Sequence, residues 1–160
     1  TSVLSDDLVG YHFRYPDHYE VEREKIREFA AAVKATDAPF HDDDAAVGLG
    51  FPGLLAPPTF ASMLGYLAQT GMFDAAGIAL TDAQIVQVDQ EFKYLRPIHV
   101  GDSLYADVTV QSIRHAHGTD LIVLKTVITD GDGAAVQETY TTLAGRSEEN
   151  GESGFSDGTA

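Results

Sequence analysis

Asp37 and His41 are residues of types that can do acid–base chemistry. They lie four positions apart in a stretch that follows a helical segment. A carboxylate and an imidazole that face one reacting group can share the work of general base and general acid. Single Asp and His residues are also common in solvated loops, and that interpretation explains the pair without any catalytic role. Both interpretations stay open on the residues alone.

His115 and His117 form a second candidate, because two imidazoles one residue apart could bind a metal ion. No third ligand accompanies them, and Gly118 directly after them is typical of a hairpin turn. The run from Asp42 to Asp44 lacks the Gly and Glu spacing of a calcium loop and is typical of solvated charge. The glycine-rich segments match neither a dinucleotide fingerprint nor a P-loop. We therefore predict neither a metal nor a cofactor.

The composition narrows the class of protein. The 160 residues include 25 Asp and Glu against 10 Lys and Arg, no Cys, and a formal charge of −15. This excludes a disulfide scaffold and argues against binding to nucleic acid or to an anionic membrane. The longest near-apolar stretch, Phe60–Met72, is too short to span a bilayer, and no signal peptide is evident. We expect a soluble, cytoplasmic, single-domain protein.

Two helices are predicted in the first half of the chain. Ile26, Phe29 and Val33 recur at the spacing of one buried face within Val21–Lys34. The second helix, Thr59–Met72, is apolar or small nearly all round, which is typical of a helix buried in the core.

The second half of the chain switches to a period of two, which indicates strands. The predicted strands are Gln84–Leu95, Ser103–Ile113, Thr119–Thr129 and Ala134–Ala144. Helices followed by an antiparallel meander predict an α+β fold in which a sheet wraps around one buried helix. We assign residues 1–146 to this single domain and interpret residues 147–160, rich in Gly, Ser and acids, as a disordered tail.

Several segments resemble one known family. They are Phe13–Ala30, "APPTF" (Ala56–Phe60), "QIVQVDQEFKYLRPIHVGDSL" (Gln84–Leu104) and "ETYTTLAGR" (Glu138–Arg146). The chain resembles the MaoC-like hot-dog dehydratases, and among them the A-type subunits of mycobacterial (3R)-hydroxyacyl-acyl-carrier-protein dehydratases, with C-type subunits next. The resemblance implies a hot-dog domain that works as a dimer, and a B-type partner that carries the catalytic Asp and His. It also implies loss of water from a (3R)-3-hydroxyacyl thioester during type II fatty-acid elongation.

Aligned on Pro39, this chain departs from the family's Asp-x-Asn-Pro-x-His motif. His41 keeps the His position, whereas Thr36 replaces the Asp and Ala38 replaces the Asn. A threonine hydroxyl cannot act as an ionised carboxylate, and Asp37 lies one residue out of register. The resemblance therefore implies a weakened catalytic pair.

The start of the second helix departs from the family as well. Active hydratases present a His-Gly pair whose backbone N–H binds the thioester oxygen, but Pro57 and Pro58 replace it here, and proline has no N–H. The Thr59 N–H remains available at that position. The candidate substrate-binding residues are Pro58, Thr59, Phe60, Met63, Leu64 and Leu67.

These departures favour a substrate-binding, largely non-catalytic subunit of a heterodimeric dehydratase. Its partners would be a B-type catalytic subunit and an acyl-carrier-protein thioester. Two alternatives stay open: a self-sufficient homodimeric enoyl hydratase that uses His41 with Asp37, and a hot-dog protein that binds acyl thioesters without reacting them.

Overall fold

Eight strands make up the β-structure of the computed structural model, which describes residues 3–147 and 153–159. They are β1 (His12–Arg14), β2 (Tyr19–Glu20), β3 (Ile78–Leu80), β4 (Ile85–Tyr94), β5 (Ser103–Ala116), β6 (Thr119–Thr129), β7 (Ala135–Arg146) and β8 (Phe155–Asp157). The main antiparallel sheet has the order β1-β5-β6-β7-β4, and β2 also pairs with β5. Strands β3 and β8 form a separate two-stranded sheet.

Three α-helices accompany the sheet: α1 (Arg23–Ala32), α2 (Asp43–Gly48) and α3 (Ser62–Ala75). Helix α3 contacts β1, β5 and β6. Its Leu64, Ala68 and Met72 are at most 1% exposed and belong to the same core as Ala106 and Leu124 of the sheet. Within the described residues, no helix is long and apolar enough to cross a membrane. The predicted α+β hot-dog fold, an antiparallel sheet packed around a central helix, is confirmed.

The predicted bounds of the two helices and of the four strands of the meander lie within three residues of the observed bounds. The region between the two predicted helices also contains the short helix α2, which was not predicted from the sequence. The Asp42 carboxylate caps this helix by accepting a hydrogen bond from the Asp44 N–H at 3.0 Å. Part of the acidic run therefore has a structural role at a helix N-terminus, where negative charge is stabilising.

Burial of α3 on all sides was predicted, and that part is wrong for the single chain. Tyr66 is 67% exposed and Leu67 is 40% exposed, whereas Leu64 is 1% exposed. Among the described residues, the sheet covers only one side of the helix, and the apolar character of the other side has no explanation within that part of the chain.

The prediction of a disordered tail is also wrong where the tail is described. Strand β8 pairs with β3, and Phe155 is 2% exposed with its ring 5.7 Å from the Phe73 ring. Gly145 lies against the Phe155 ring, where any Cβ would overlap it. Phe155 thus packs in the core, and the residues beside it form the ordered strand β8. Residues 148–152 and 160 lie outside the described part of the chain.

Candidate functional site

A cleft of about 420 Å³ lies at the approach to helix α3. One wall is Leu55–Pro58, which precedes the helix, and the other is Tyr94–Ile98, which connects β4 to β5. Phe40 and Gln137 complete its lining. The cleft is mostly apolar with a few polar groups, the usual character of a small-molecule site.

Backbone hydrogen bonds hold the two walls of the cleft together. The Ala56 N–H donates to the Ile98 carbonyl at 2.8 Å, and the Val100 N–H donates to the Leu54 carbonyl at 2.9 Å. Because these bonds cross between the walls on both sides of the Leu55–His99 bridge, the cleft is fixed by the fold.

An ion-pair network stabilises the connection between β4 and β5. The Arg96 guanidinium donates to both carboxylate oxygens of buried Asp102 and, at 3.3 Å, to Asp130. Hydrogen bonding with Asp102 raises the pKa of Arg96. Backbone hydrogen bonds, above all from the Ala134 N–H, lower the pKa of Asp130. The segments Arg96-Pro97-Ile98 and Gly101-Asp102 therefore shape the cleft wall.

Tyr94 and Arg96 are the titratable residues that line the cleft within the described part of the chain. Burial raises the pKa of the Tyr94 phenol, and the Asp102 hydrogen bonds raise that of Arg96. Both groups therefore hold their protons at neutral pH, and neither can accept one. Among the described residues, the lining of the cleft contains no carboxylate and no imidazole.

The predicted catalytic residues flank a short turn beside the cleft. Asp37 precedes and His41 follows the 3-10 turn Ala38–Phe40, and the turn's Phe40 reaches the cleft while they do not. The His41 Nε2 lies 2.7 Å from the carbonyl oxygen of Ala35. Because a carbonyl only accepts, this nitrogen donates its hydrogen there.

Asp37 is exposed, and within the described residues no hydrogen bond or ion pair joins its carboxylate to His41. The turn therefore keeps the two residues close along the chain without pairing their side chains. A catalytic role for either residue stays a prediction.

The predicted substrate-binding residues divide into three environments. Pro58 lines the cleft. Phe60 and Leu64 are 1% exposed and belong to the core, where the Phe60 ring packs edge-on against Phe29 at 5.5 Å. Thr59 is exposed, and its carbonyl accepts hydrogen bonds from the Ser62 backbone and hydroxyl.

Met63 and Leu67 line a separate open groove of about 510 Å³ beside Tyr19, Lys25 and Tyr66. The groove is mostly apolar and lies on the uncovered side of α3. The structure thus brings Pro58 to the cleft and Met63 with Leu67 to this groove, and their binding roles stay predictions.

Sequence reasoning missed a buried polar layer between α3 and the sheet. Thr126, Gln137, Thr139 and Thr141 are all less than 7% exposed. The Gln69 amide donates to the Thr141 hydroxyl at 3.1 Å across this layer. The available signal was the spacing of two that places a Gln and two Thr on the inner face of β7.

Strand β4 forms one edge of the main sheet. Within the described residues it pairs only with β7. Val86 and Val88 on this strand are 60% and 54% exposed. An unpaired edge with exposed β-branched side chains is a template for pairing with another chain.

Comparison with known proteins places these features in a family. The model of the FAS1-like dehydratase domain region matches residues 7–139. The chain is 60% identical over 158 residues to the UPF0336 protein Rv0635 of Mycobacterium tuberculosis, with 99% of each chain covered.

Two solved structures are similar as well. A crystal structure of the C-terminally truncated HadBC (3R-hydroxyacyl-ACP dehydratase) complex from Mycobacterium tuberculosis contains a chain that is 40% identical, with a TM-score of 0.80, covering 89% of this chain and all of that one. A MaoC-like dehydratase is 34% identical with a TM-score of 0.81, covering 89% of this chain and 43% of that one. The resemblance seen in the sequence is confirmed: the chain belongs to the MaoC-like and FAS1-like dehydratases of the hot-dog fold.

Proposed function

We propose that this chain is the substrate-binding, largely non-catalytic subunit of a heterodimeric (3R)-3-hydroxyacyl-acyl-carrier-protein dehydratase in type II fatty-acid elongation of the mycolic-acid type. One observation carries the proposal. Among the described residues, the lining of the cleft at the start of α3 holds no side chain able to accept a proton at neutral pH, because its titratable residues are Tyr94 and Arg96 with raised pKa values. The family's reaction cannot begin without such a group.

The chemistry defines what the partner must supply. A base removes the C2 proton, the electron pair forms the C2–C3 double bond, and the C3–O bond breaks as an acid protonates the departing hydroxyl. Hydrogen-bond donors stabilise the thioester oxygen as it gains charge. Pro57 and Pro58 offer no N–H for that purpose. The exposed Thr59 N–H makes no hydrogen bond within the described residues and is the donor this chain can contribute.

The edge of the sheet supports a heterodimer. Strand β4 exposes Val86 and Val88, and the uncovered side of α3 exposes Tyr66 and Leu67. A partner hot-dog chain that pairs along β4 would cover apolar surface that water now contacts. The similar HadBC (3R-hydroxyacyl-ACP dehydratase) structure is a complex, and this likeness supports a heterodimer.

The charges of this chain favour carrier docking on the partner. The net charge of −15 repels an acidic carrier protein. Arg23 pairs with Asp43 at 2.9 Å and with Glu24 at 2.8 Å, and Arg27 pairs with Glu24 at 3.1 Å. Because these arginines are neutralised by neighbouring acids, they offer little attraction to a carrier.

The test is an enoyl-thioester hydration assay of the purified chain with and without a co-expressed B-type chain that bears the full Asp and His motif. We expect no turnover by this chain alone and turnover by the pair. The matched control replaces the partner's motif His by Ala and should abolish the activity. Turnover by this chain alone would support the homodimeric hydratase with His41 and Asp37, and no turnover in either case would support a non-reacting acyl-binding protein.

A further inference from the structure

A small cavity of about 80 Å³ lies between the first two turns of α3 and the inner face of the sheet. Ala61, helix α3 and strands β4, β6 and β7 supply its lining, and none of the described lining residues is charged. The exposed members are Tyr66 and Gln87. The cavity therefore opens to solvent between the helix and the edge strand β4, beside the surface assigned above to the partner.

The inner end of this cavity is closed by a chain of hydrogen bonds. The Gln69 Nε2 donates to the Thr141 Oγ1 at 3.1 Å, and the Thr141 hydroxyl donates to the Gln90 Oε1 at 3.2 Å. These bonds link α3 to β7 and β4 through neutral groups. A ligand that enters from the open side would meet them after the first two turns of the helix.

Thr126 is the lining residue whose buried hydroxyl lacks a hydrogen bond in the described part of the chain. It is 1% exposed, and its hydroxyl has no hydrogen-bond partner within the described residues. Thr139, opposite it on β7, is 6% exposed and accepts from the Gln137 amide at 3.2 Å, which leaves its own hydroxyl hydrogen to donate. Burial of an unpaired hydroxyl is unfavourable, and such groups are normally satisfied by water or by a ligand.

We infer that this cavity is a subsite for a neutral carbonyl or amide oxygen that is flanked by methylene groups and belongs to the thioester ligand. The Thr126 and Thr139 hydroxyls donate to that oxygen, and the methylene groups pack on Ala61 and Ile128. A carboxylate or phosphate does not suit the site, because no cation in the lining would compensate its charge. The inference deepens the proposed function and rests on it, since the ligand is the thioester substrate.

Two parts of a thioester substrate carry this chemistry, namely the amides of the pantetheine arm and an oxygen within the acyl chain. Three probes distinguish them: pantetheine, a decanone whose ketone lies within the chain, and decane as the apolar match. Binding is measured by NMR from the Ile128 methyl resonance of the isotopically labelled chain, because Ile128 lines the cavity. The Ile113 methyl, buried elsewhere in the sheet, reports that the fold is intact.

We expect pantetheine or the decanone to shift the Ile128 resonance, and decane to bind at least about threefold more weakly than the decanone if the acyl chain is the source. A shift of the Ile128 resonance with pantetheine alone identifies the pantetheine arm as the part of the substrate that binds here. Thr126→Val keeps the shape of the side chain and removes the hydroxyl, so it should weaken the binding of the oxygen-bearing probe at least about threefold. Thr142→Val, on the opposite face of β7, is the matched control and should leave the affinity unchanged.

Three results would overturn the inference: no Ile128 shift with any probe while the Ile113 resonance is normal, equal affinity for the decanone and decane without binding of pantetheine, or undiminished binding to Thr126→Val. The first of these means that the cavity holds only water. None of these measurements requires turnover, so failure of the subsite is distinguishable from failure of the dehydratase assay.

Discussion

The Arg96 guanidinium donates to both carboxylate oxygens of Asp102, with N···O distances of 2.9 and 3.1 Å. Asp102 is 8% exposed and also accepts a hydrogen bond from the His99 N–H at 3.0 Å. Such bidentate pairs combine charge with fixed geometry. Because the pair closes the connection between β4 and β5, it holds one wall of the cleft in place.

Removal of the Asp102 carboxylate should therefore destabilise the protein. Asp102→Ala leaves a partly buried guanidinium and a backbone N–H without their partner, and we expect a loss of about 1.5–3 kcal/mol in the free energy of unfolding. Urea denaturation measures it. The control is Asp132→Asn, an exposed residue of the nearby turn, which should change the free energy by less than about 0.5 kcal/mol. An equal effect of the two variants would contradict a structural role for the pair.

Asp130 should contribute an acid-sensitive part of the stability. Its pKa lies below the ordinary value of 3.8, so the folded protein binds fewer protons at this group than the unfolded chain does in the acid range. The contribution is complete above the ordinary value and is lost as the pH falls through the lowered one. We expect the Tm difference between the native protein and Asp130→Asn to be largest at neutral pH and to shrink below about pH 4. A difference that is constant with pH would show that the charge of Asp130 is not involved.

Leu64 and Leu67 should respond differently to the same substitution. Leu64 is 1% exposed, so Leu64→Asp places an unpaired charge in the core and should cost several kcal/mol, about 3 or more. Leu67 is 40% exposed, and Leu67→Asp should cost less than about 1 kcal/mol in the isolated chain. Thermal unfolding of the two variants provides the comparison. If Leu67→Asp also prevents assembly with the B-type chain, the uncovered side of α3 belongs to the interface.

His41 should matter little for the rate. Its Nε2 is engaged by the Ala35 carbonyl, so we expect His41→Ala to lower the activity of the heterodimer by less than about 10-fold, whereas loss of a catalytic acid or base typically costs 10²–10⁴-fold. His41→Gln is the matched control, because its amide can still donate to a carbonyl. A loss of 100-fold or more in both variants, with assembly intact, would assign the catalysis to His41.

The sequence predicted most of the fold but only part of the site. Strand β6 alternates between buried and less buried residues along its whole length, and β5 and β7 do so over part of theirs, so their periodicity was visible. The β3–β8 pair joins Ile78 to Asp157 through two three-residue strands, and such short segments carry no periodic signal. The hydroxyl of Thr126 could not be recognised either, because threonine favours strands whether or not it lines a cavity. The exposure of Leu67 depends on whether a second chain covers α3, which one sequence does not encode.

Reversal of the charges on α1 should leave carrier recognition nearly unchanged. Arg23 and Arg27 share Glu24 as an ion-pair partner, and Arg23 also pairs with Asp43, so their positive charge is largely neutralised at the surface. In the heterodimer, Arg23→Glu with Arg27→Glu should change KM for an acyl-carrier substrate by less than about 3-fold, which corresponds to about 0.7 kcal/mol. The same assay with the acyl-CoA substrate is the control, because it lacks the carrier surface. A large rise in KM confined to the carrier-bound substrate would place the docking surface on this chain, and carrier recognition would then not reside on the partner alone.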